Sequence, residues 1–196
     1  MKIGLFFGSF NPIHNGHLIL AEGVLNHSDL DQVWFVVTPQ NPAKKKDSLL
    51  ADHHRLNMVR DVIYDNVRFK VSDVEFHLAP PHYTAVTLTH LKEKHPGFEF
   101  SIIMGEDNLR GLGSWFNHAY ILKNYRLLIY PRNKQENELL SVKKTPEGNI
   151  EFLSEVPVLE ISSSEIRGLI KKNKSIKYMV PESTERMIQE MRFYKR

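Results

Sequence analysis

Apolar residues fall in five short blocks along the chain, and helical spacing fills most of the intervals between them. Lys2 to Phe7 (KIGLFF), Gln32 to Thr38 (QVWFVVT), Val67 to Val71, Phe98 to Met104 (FEFSIIM) and Arg126 to Tyr130 (RLLIY) read as buried strands. Gly8, Pro39, Gly105 and Pro131 stop four of them. Leu18, Ala21, Val24 and Leu25 recur at helical spacing over Gly16 to Leu25. Leu56, Val59, Val62 and Ile63 do the same over a helix that Asp52 is expected to cap and that runs to Ile63. Thr84 to Lys94 is a third helix, ended by Pro96 and Gly97. Continuously apolar strands need cover on both faces. The alternation therefore predicts an α/β fold, a doubly wound, mostly parallel sheet with helices on either side. Residues 1–196 read as one domain with a small helical C-terminal part from about 160 to 196. Ahead of that part, Val156 to Ser162 (VPVLEIS) is strand-like, and Lys134 to Gly148 is polar enough for a surface excursion.

Composition narrows the picture. With 41% apolar and 25% charged residues, the chain has the make-up of an ordinary globular protein. No apolar run approaches the ~20 residues that cross a bilayer. Met1 leads into a strand pattern and not a secretory leader, so a cytoplasmic location without a membrane partner is expected. The absence of cysteine excludes a disulfide frame and thiolate metal sites. The net charge of +3 is unevenly spread: Lys171 to Arg196 holds eight Lys/Arg against three Glu, and Lys44, Lys45 and Lys46 form a second cluster. Such clusters suit small anions, nucleic acid or a membrane surface, or are plain solvated faces. No nucleic-acid-binding motif accompanies them, which favours small polyanions over nucleic acid. A homo-oligomer is compatible with the sequence.

Sites in folds of this kind lie at the carboxyl ends of the strands. The first strand is followed at once by G-S-F-N-P-I-H-N-G-H and then a helix. A helix N-terminus presents free N–H groups and a positive dipole end. Gly8 and Gly16 remove side chains where a phosphate must approach the backbone. His14 and His17 are three apart, so on a first helical turn their rings project to one side and can donate to a polyphosphate. The same spacing suits zinc only with further ligands. His53 and His54 are the obvious candidates, but adjacent helical residues point to different faces, so no metal held by side chains is expected. The phosphate loop G-x-x-x-x-G-K-[ST] is absent. In ISSSEIRGLI (Ile161 to Ile170), Ser162, Ser163 or Ser164 can cap a helix whose first turns carry Arg167. The stretch reads equally as a capped helix with a surface arginine or as an anion site of hydroxyls, N–H groups and guanidinium.

The histidine turn resembles the H-x-G-H signature of the nucleotidylyltransferase superfamily, whose members transfer a nucleotide from ATP or CTP onto a phosphate. The resemblance covers most of the chain and is strongest to the bacterial nicotinate-nucleotide adenylyltransferase branch. It implies a Rossmann-like sheet with ATP and nicotinate mononucleotide as substrates. The products would be nicotinate adenine dinucleotide and pyrophosphate, formed by in-line attack on the α phosphorus. His14, His17 and Arg167 would be catalytic, and Gly8, Ser9, Phe10 and Gly16 would steady the ATP phosphates. The stretch from Ile161 is similar to the family's I-S-S-T/S-x-I-R, which adds Ile161, Ser162 and Ser163 to the phosphate ligands. IIMGEDNLRGLGSWF matches G-x-D-x-L-x-x-L-x-x-W at Gly105, Asp107, Leu109, Leu112 and Trp115. Gly105 and Asp107 would then contact the nucleotide, and Trp115 would stack on the pyridine ring. A helix-capping Asp107 and a core-filling Trp115 are the plain alternatives.

PHYTAVTL resembles S-Y-T-x-D-T-L, with Tyr83 and Thr84 at the mononucleotide, His82 replacing the small residue and Val86 the aspartate. NPAKKK stands where the family reads P-P-H-K, with Ala43 in place of the histidine. Lys44 would be a phosphate ligand there, and Lys45 is its rival. YMVPESTERMI resembles Y-L-V-P and would pack the closing helix. Mg²⁺ is the implied cofactor, carried by the substrate phosphates. A sister adenylyltransferase using nicotinamide mononucleotide or pantetheine phosphate would share the ATP site. A nucleic-acid-binding module using the basic tail would instead show steep salt dependence and no pyrophosphate release.

Overall fold

The apolar blocks pair side by side in a computed structural model that describes residues 1–39, 49–132 and 149–195. β1 (Lys2–Gly8), β2 (Gln32–Val37), β3 (Phe69–Ser72), β4 (Glu99–Gly105) and β5 (Arg126–Tyr130) follow the predicted runs closely. The main shift is at β3, where Val67 stands 87% exposed ahead of the strand. A sixth strand, β6 (Ile150–Phe152), completes the order β3-β2-β1-β4-β5-β6, with every neighbouring pair parallel. β1 has β2 on one side and β4 on the other, so the strand order reverses there. A crevice opens at such a reversal, above the carboxyl ends of the strands.

Among the described residues the helices are α1 (Asn15–Asn26), α2 (Asp52–Ile63), α3 (Thr84–Lys94), α4 (Glu106–Gly111), α5 (His118–Asn124), α6 (Ser163–Lys171) and α7 (Glu182–Glu190). Tight 3₁₀ turns occupy Val74–His77 and Leu112–Ser114. Side chains alternate across the strands and feed two separate cores. Phe6, Val33, Phe35 and Leu128 bury against Val24 of α1, Val59 of α2, Ile166 of α6 and Ile188 of α7. Ile3, Leu5, Trp34 and Ile129 bury on the opposite face against Leu88 and Leu91 of α3 and Ile121 of α5. The doubly wound α/β expectation holds. Among the described residues no helix is long and apolar enough to cross a membrane.

Two local expectations fail. Val156 to Ser162 is not a strand. Pro157 cannot donate to a ladder, and the stretch instead crosses α1, with Val156 and Pro157 seated against Gly23. Asp52 does not cap α2; Ala51 holds that position, and Asp52 is the first helical residue, paired with Arg55. The polar stretch 134–148 lies outside the described residues.

Candidate active site

β1 delivers the chain to the crevice at Gly8. Phe10 then takes φ 43° and folds its ring into the core, 5.0 Å from His17, 5.6 Å from Phe35 and 5.9 Å from Phe6. A Cβ on Gly8 would stand 2.8 Å from that ring. Gly16 is equally constrained: its Cβ would meet Ile161 Cγ2 at 2.3 Å and His14 Nδ1 at 3.0 Å. Clearance for phosphate was the expected reason for both glycines. The structure gives the space to Phe10 and Ile161 instead. The Phe10 side chain is core filling, which leaves only its backbone to face a nucleotide.

His14 is the N-cap of α1 and His17 its third residue, so only His17 stands in the helix proper. The rings still come together, stacked at 3.7 Å with 25° between planes. The His14 backbone N–H donates to His17 Nδ1 at 3.3 Å. That contact makes Nδ1 an acceptor and assigns the proton of the neutral ring to Nε2. Burial holds His17 well below the usual imidazole range, and the charges of His14 and Arg132 act the same way. Burial and then Arg132 bring His14 down to about 4. Both rings are held neutral at pH 7, so each has one N–H to offer without carrying charge. The N-terminus of α1 is less open than expected. The Asn15 N–H donates to the Met179 carbonyl at 3.0 Å, and the His17 N–H to the His14 carbonyl at 2.9 Å. The YMVP stretch therefore seats α1 as well as leading into α7.

The Ser/Arg turn closes over the same loop. Ser162 caps α6, its Oγ accepting from the Glu165 N–H at 3.2 Å. Ser163 Oγ donates to the Pro12 carbonyl at 2.9 Å, and Arg167 Nη1 to the Asn11 carbonyl at 2.8 Å. Two segments 151 and 156 positions apart at these bonds thus form one wall.

Several structural partners of this wall went unread in the sequence. Arg55, fully buried, donates to the carbonyls of Ser9 (2.6 Å), Thr38 (2.8 Å), Pro39 (3.0 Å) and Leu50 (3.0 Å). It ties the loop after β1 to the loop after β2. Its signal was present: Arg55 falls on the apolar stripe of α2, four residues before Val59. Tyr194 reaches Asn11 Oδ1 at 2.8 Å from near the C-terminus, which no local pattern announces. Arg132 lies over the Tyr130 ring at 5.6 Å and faces Asp107 at 3.5 Å.

The crevice encloses about 710 Å³. His14, His17, Gly8, Ser9, Phe10, Gly16, Ile161, Ser162, Ser163 and Arg167 line one part of it, and Tyr83, Thr84 and Trp115 line another. Trp115 also packs against the second core, so lining and filling are not exclusive. Gly105 and Asp107 are not among the lining residues. Gly105 caps α4, and the exposed Asp107 meets the crevice only through Arg132, itself a lining residue. Lys44 and Lys45 lie outside the described residues. His53 and His54 do not face apart as expected; their ring centroids are 4.0 Å from each other. Among the described residues no three metal-ligating side chains converge.

A profile of cytidylyltransferase-like proteins matches residues 5–169, and the chain belongs to that family of nucleotidyltransferases. Curated relatives within it carry the name probable nicotinate-nucleotide adenylyltransferase. The chain is 48% identical to the "Probable nicotinate-nucleotide adenylyltransferase" of Flavobacterium johnsoniae, with all of each chain covered. It is 47% identical to that of Flavobacterium psychrophilum, again over the whole of both. Among solved structures, Plasmodium falciparum nicotinic acid mononucleotide adenylyltransferase complexed with NaAD matches with a TM-score of 0.78 at 25% identity. That match covers 98% of this chain and 97% of the other.

Proposed function

We propose that the crevice transfers the adenylyl group of ATP to the 5′-phosphate of nicotinate mononucleotide, giving nicotinate adenine dinucleotide and pyrophosphate. The observation that carries this reading is the joining of the histidine turn to the Ser/Arg turn through Ser163–Pro12 and Arg167–Asn11. The names of the relatives support the nicotinate acceptor. The acceptor's phosphate oxygen forms a bond to the α phosphorus as the bond to the bridging oxygen of pyrophosphate breaks. A phosphate monoester is already a nucleophile at neutral pH, so the protein's task is alignment and charge stabilisation.

His17 Nε2–H and His14 donate to the α-phosphate and bridging oxygens. Ser9 steadies the reacting phosphates. Ser163 and Arg167 draw off the charge gathering on pyrophosphate. Arg132 supplies the full positive charge that two neutral imidazoles lack; its field already reaches both rings. Asp107 pairs with Arg132 at the rim, and Asp107 and Gly105 act on the nucleotide through that arginine rather than as lining residues. Lys44 is a further phosphate ligand. Tyr83, Thr84 and Trp115 receive the mononucleotide, where an indole face suits a flat ring. The phosphate end is lined by imidazole, hydroxyl and guanidinium groups, whereas Mg²⁺ takes anionic oxygens. The phosphates themselves would therefore hold the ion, which supplies charge neutralisation. The reaction belongs in this reading to the cytoplasm.

Pyrophosphate release from ATP tests the proposal, with nicotinate mononucleotide, nicotinamide mononucleotide and pantetheine phosphate compared as acceptors. The nicotinate form is expected to be fastest. A preference for pantetheine phosphate rejects the assignment.

A further inference from the structure

One wall of the crevice carries polar atoms that the proposed chemistry does not use. Glu75, in the turn before α3, is 1% exposed. The Thr87 hydroxyl donates to its Oε1 at 2.9 Å and fixes the carboxyl. Oε2 is buried and makes no well-formed hydrogen bond, although the Thr38 hydroxyl stands near enough to act on the carboxyl; His82 Nδ1 is likewise buried without a well-formed hydrogen bond. Both residues line the crevice with Thr38, Tyr83 and Thr84. Thr87 follows Thr84 by one helical turn on α3, so Glu75 stands beside the residues assigned to the mononucleotide. A buried carboxyl oxygen left unpaired is costly, and such an atom in a crevice wall calls for a partner that arrives with the ligand.

We propose that Glu75 is a substrate-binding residue whose Oε2 takes a ribose hydroxyl of the mononucleotide, an inference that rests on the mononucleotide site described above. The choice among substrate groups follows from their chemistry. A ring carboxylate and a phosphate only accept, so they pair with a protonated carboxyl alone. A hydroxyl both donates and accepts, so it pairs with either form. That matters here because burial raises the Glu75 carboxyl while the Thr87 and Thr38 hydroxyls oppose the shift. A ribose also presents two vicinal hydroxyls to a wall with two open polar atoms, Glu75 Oε2 and His82 Nδ1.

The test is a cycle between residue and substrate. Wild type and Glu75→Ala are compared on nicotinate mononucleotide and on its 2′-deoxy and 3′-deoxy forms, reading kcat/KM for pyrophosphate release. In wild type, removing the contacted hydroxyl lowers kcat/KM about 10-fold or more, the weight of one hydrogen bond to a carboxyl group. In Glu75→Ala the intact substrate is slower by a similar factor, and removing that hydroxyl changes little further. Equal penalties in both proteins overturn the assignment. So does a wild-type penalty seen only when the ring carboxylate becomes a carboxamide. A thermal melt checks the fold of Glu75→Ala; if it fails, Glu75→Met, which keeps the side-chain volume, takes its place in the same cycle. No wild-type turnover with any of these acceptors, against turnover with pantetheine phosphate, refutes the parent reading and this one with it.

Discussion

The two ends of the crevice are held in opposite ways. At the phosphate end the protein has already engaged its own side chains: Ser163 on Pro12, Arg167 on Asn11, Arg55 on Ser9, and His17 Nδ1 on the His14 N–H. His14 Nδ1 is buried there without a well-formed hydrogen bond. At the mononucleotide end the wall is largely aromatic. Tyr83 and Phe116 stack at 4.6 Å, Trp115 is half-buried, and Glu75 and His82 each keep an open polar atom. Donors fixed in advance need no reorganisation as charge develops, which favours rate. Buried polar atoms that wait for a ligand penalise the wrong one, which favours discrimination. In the proposed reading one end serves turnover and the other the choice of acceptor.

Substitutions can break this division, beginning with the largest expected effect. Arg55→Met strips the partner from four backbone carbonyls, and at roughly 1 kcal/mol each the loss should be about 4 kcal/mol. Urea unfolding measures it; a loss below about 1 kcal/mol would show that the tie does not hold the loops. His17→Ala should fold normally and lose about 10² to 10³ in kcat, the weight of one preorganised donor. Near-wild-type turnover in the folded variant removes His17 from the chemistry. Trp115→Ala should raise KM for the mononucleotide about 2- to 10-fold through lost stacking and leave KM for ATP alone. Equal rises in both constants erase the boundary between the ends.

The smallest effect concerns pH. The folded His14 stays unprotonated down to about 4, whereas in the unfolded chain it titrates near 6.5. Between those values the unfolded state binds the extra proton. Its contribution to stability is therefore complete above pH 6.5 and is lost as pH falls towards 4. Thermal melts across that window should slope more steeply for wild type than for His14→Asn. Parallel slopes would mean that the ring is not held neutral by its surroundings.

Features written over a few consecutive residues were legible in the sequence. Five of the six strands among the described residues, the spans of α1 to α3, the histidine turn and the serine cap of α6 rest on periodicity, punctuation and local capping chemistry. β6 escaped because three residues hold too little pattern. The VPVLEIS stretch misled because its apolar content serves a crossing over α1 rather than a ladder. The reason for each glycine was also out of reach, since the neighbour that fills the space at Gly16 is Ile161.

By itself, the sequence determined the layered α/β plan and the chemistry available at two turns, because backbone sterics and side-chain period act between near neighbours. Only the tertiary structure decided that the two turns share a wall, that Arg55 and Tyr194 brace it, and that a buried Glu75 lines the crevice with Thr84. Those facts depend on hydrogen bonds and burial between residues far apart in the chain, and distance in sequence leaves no period to read.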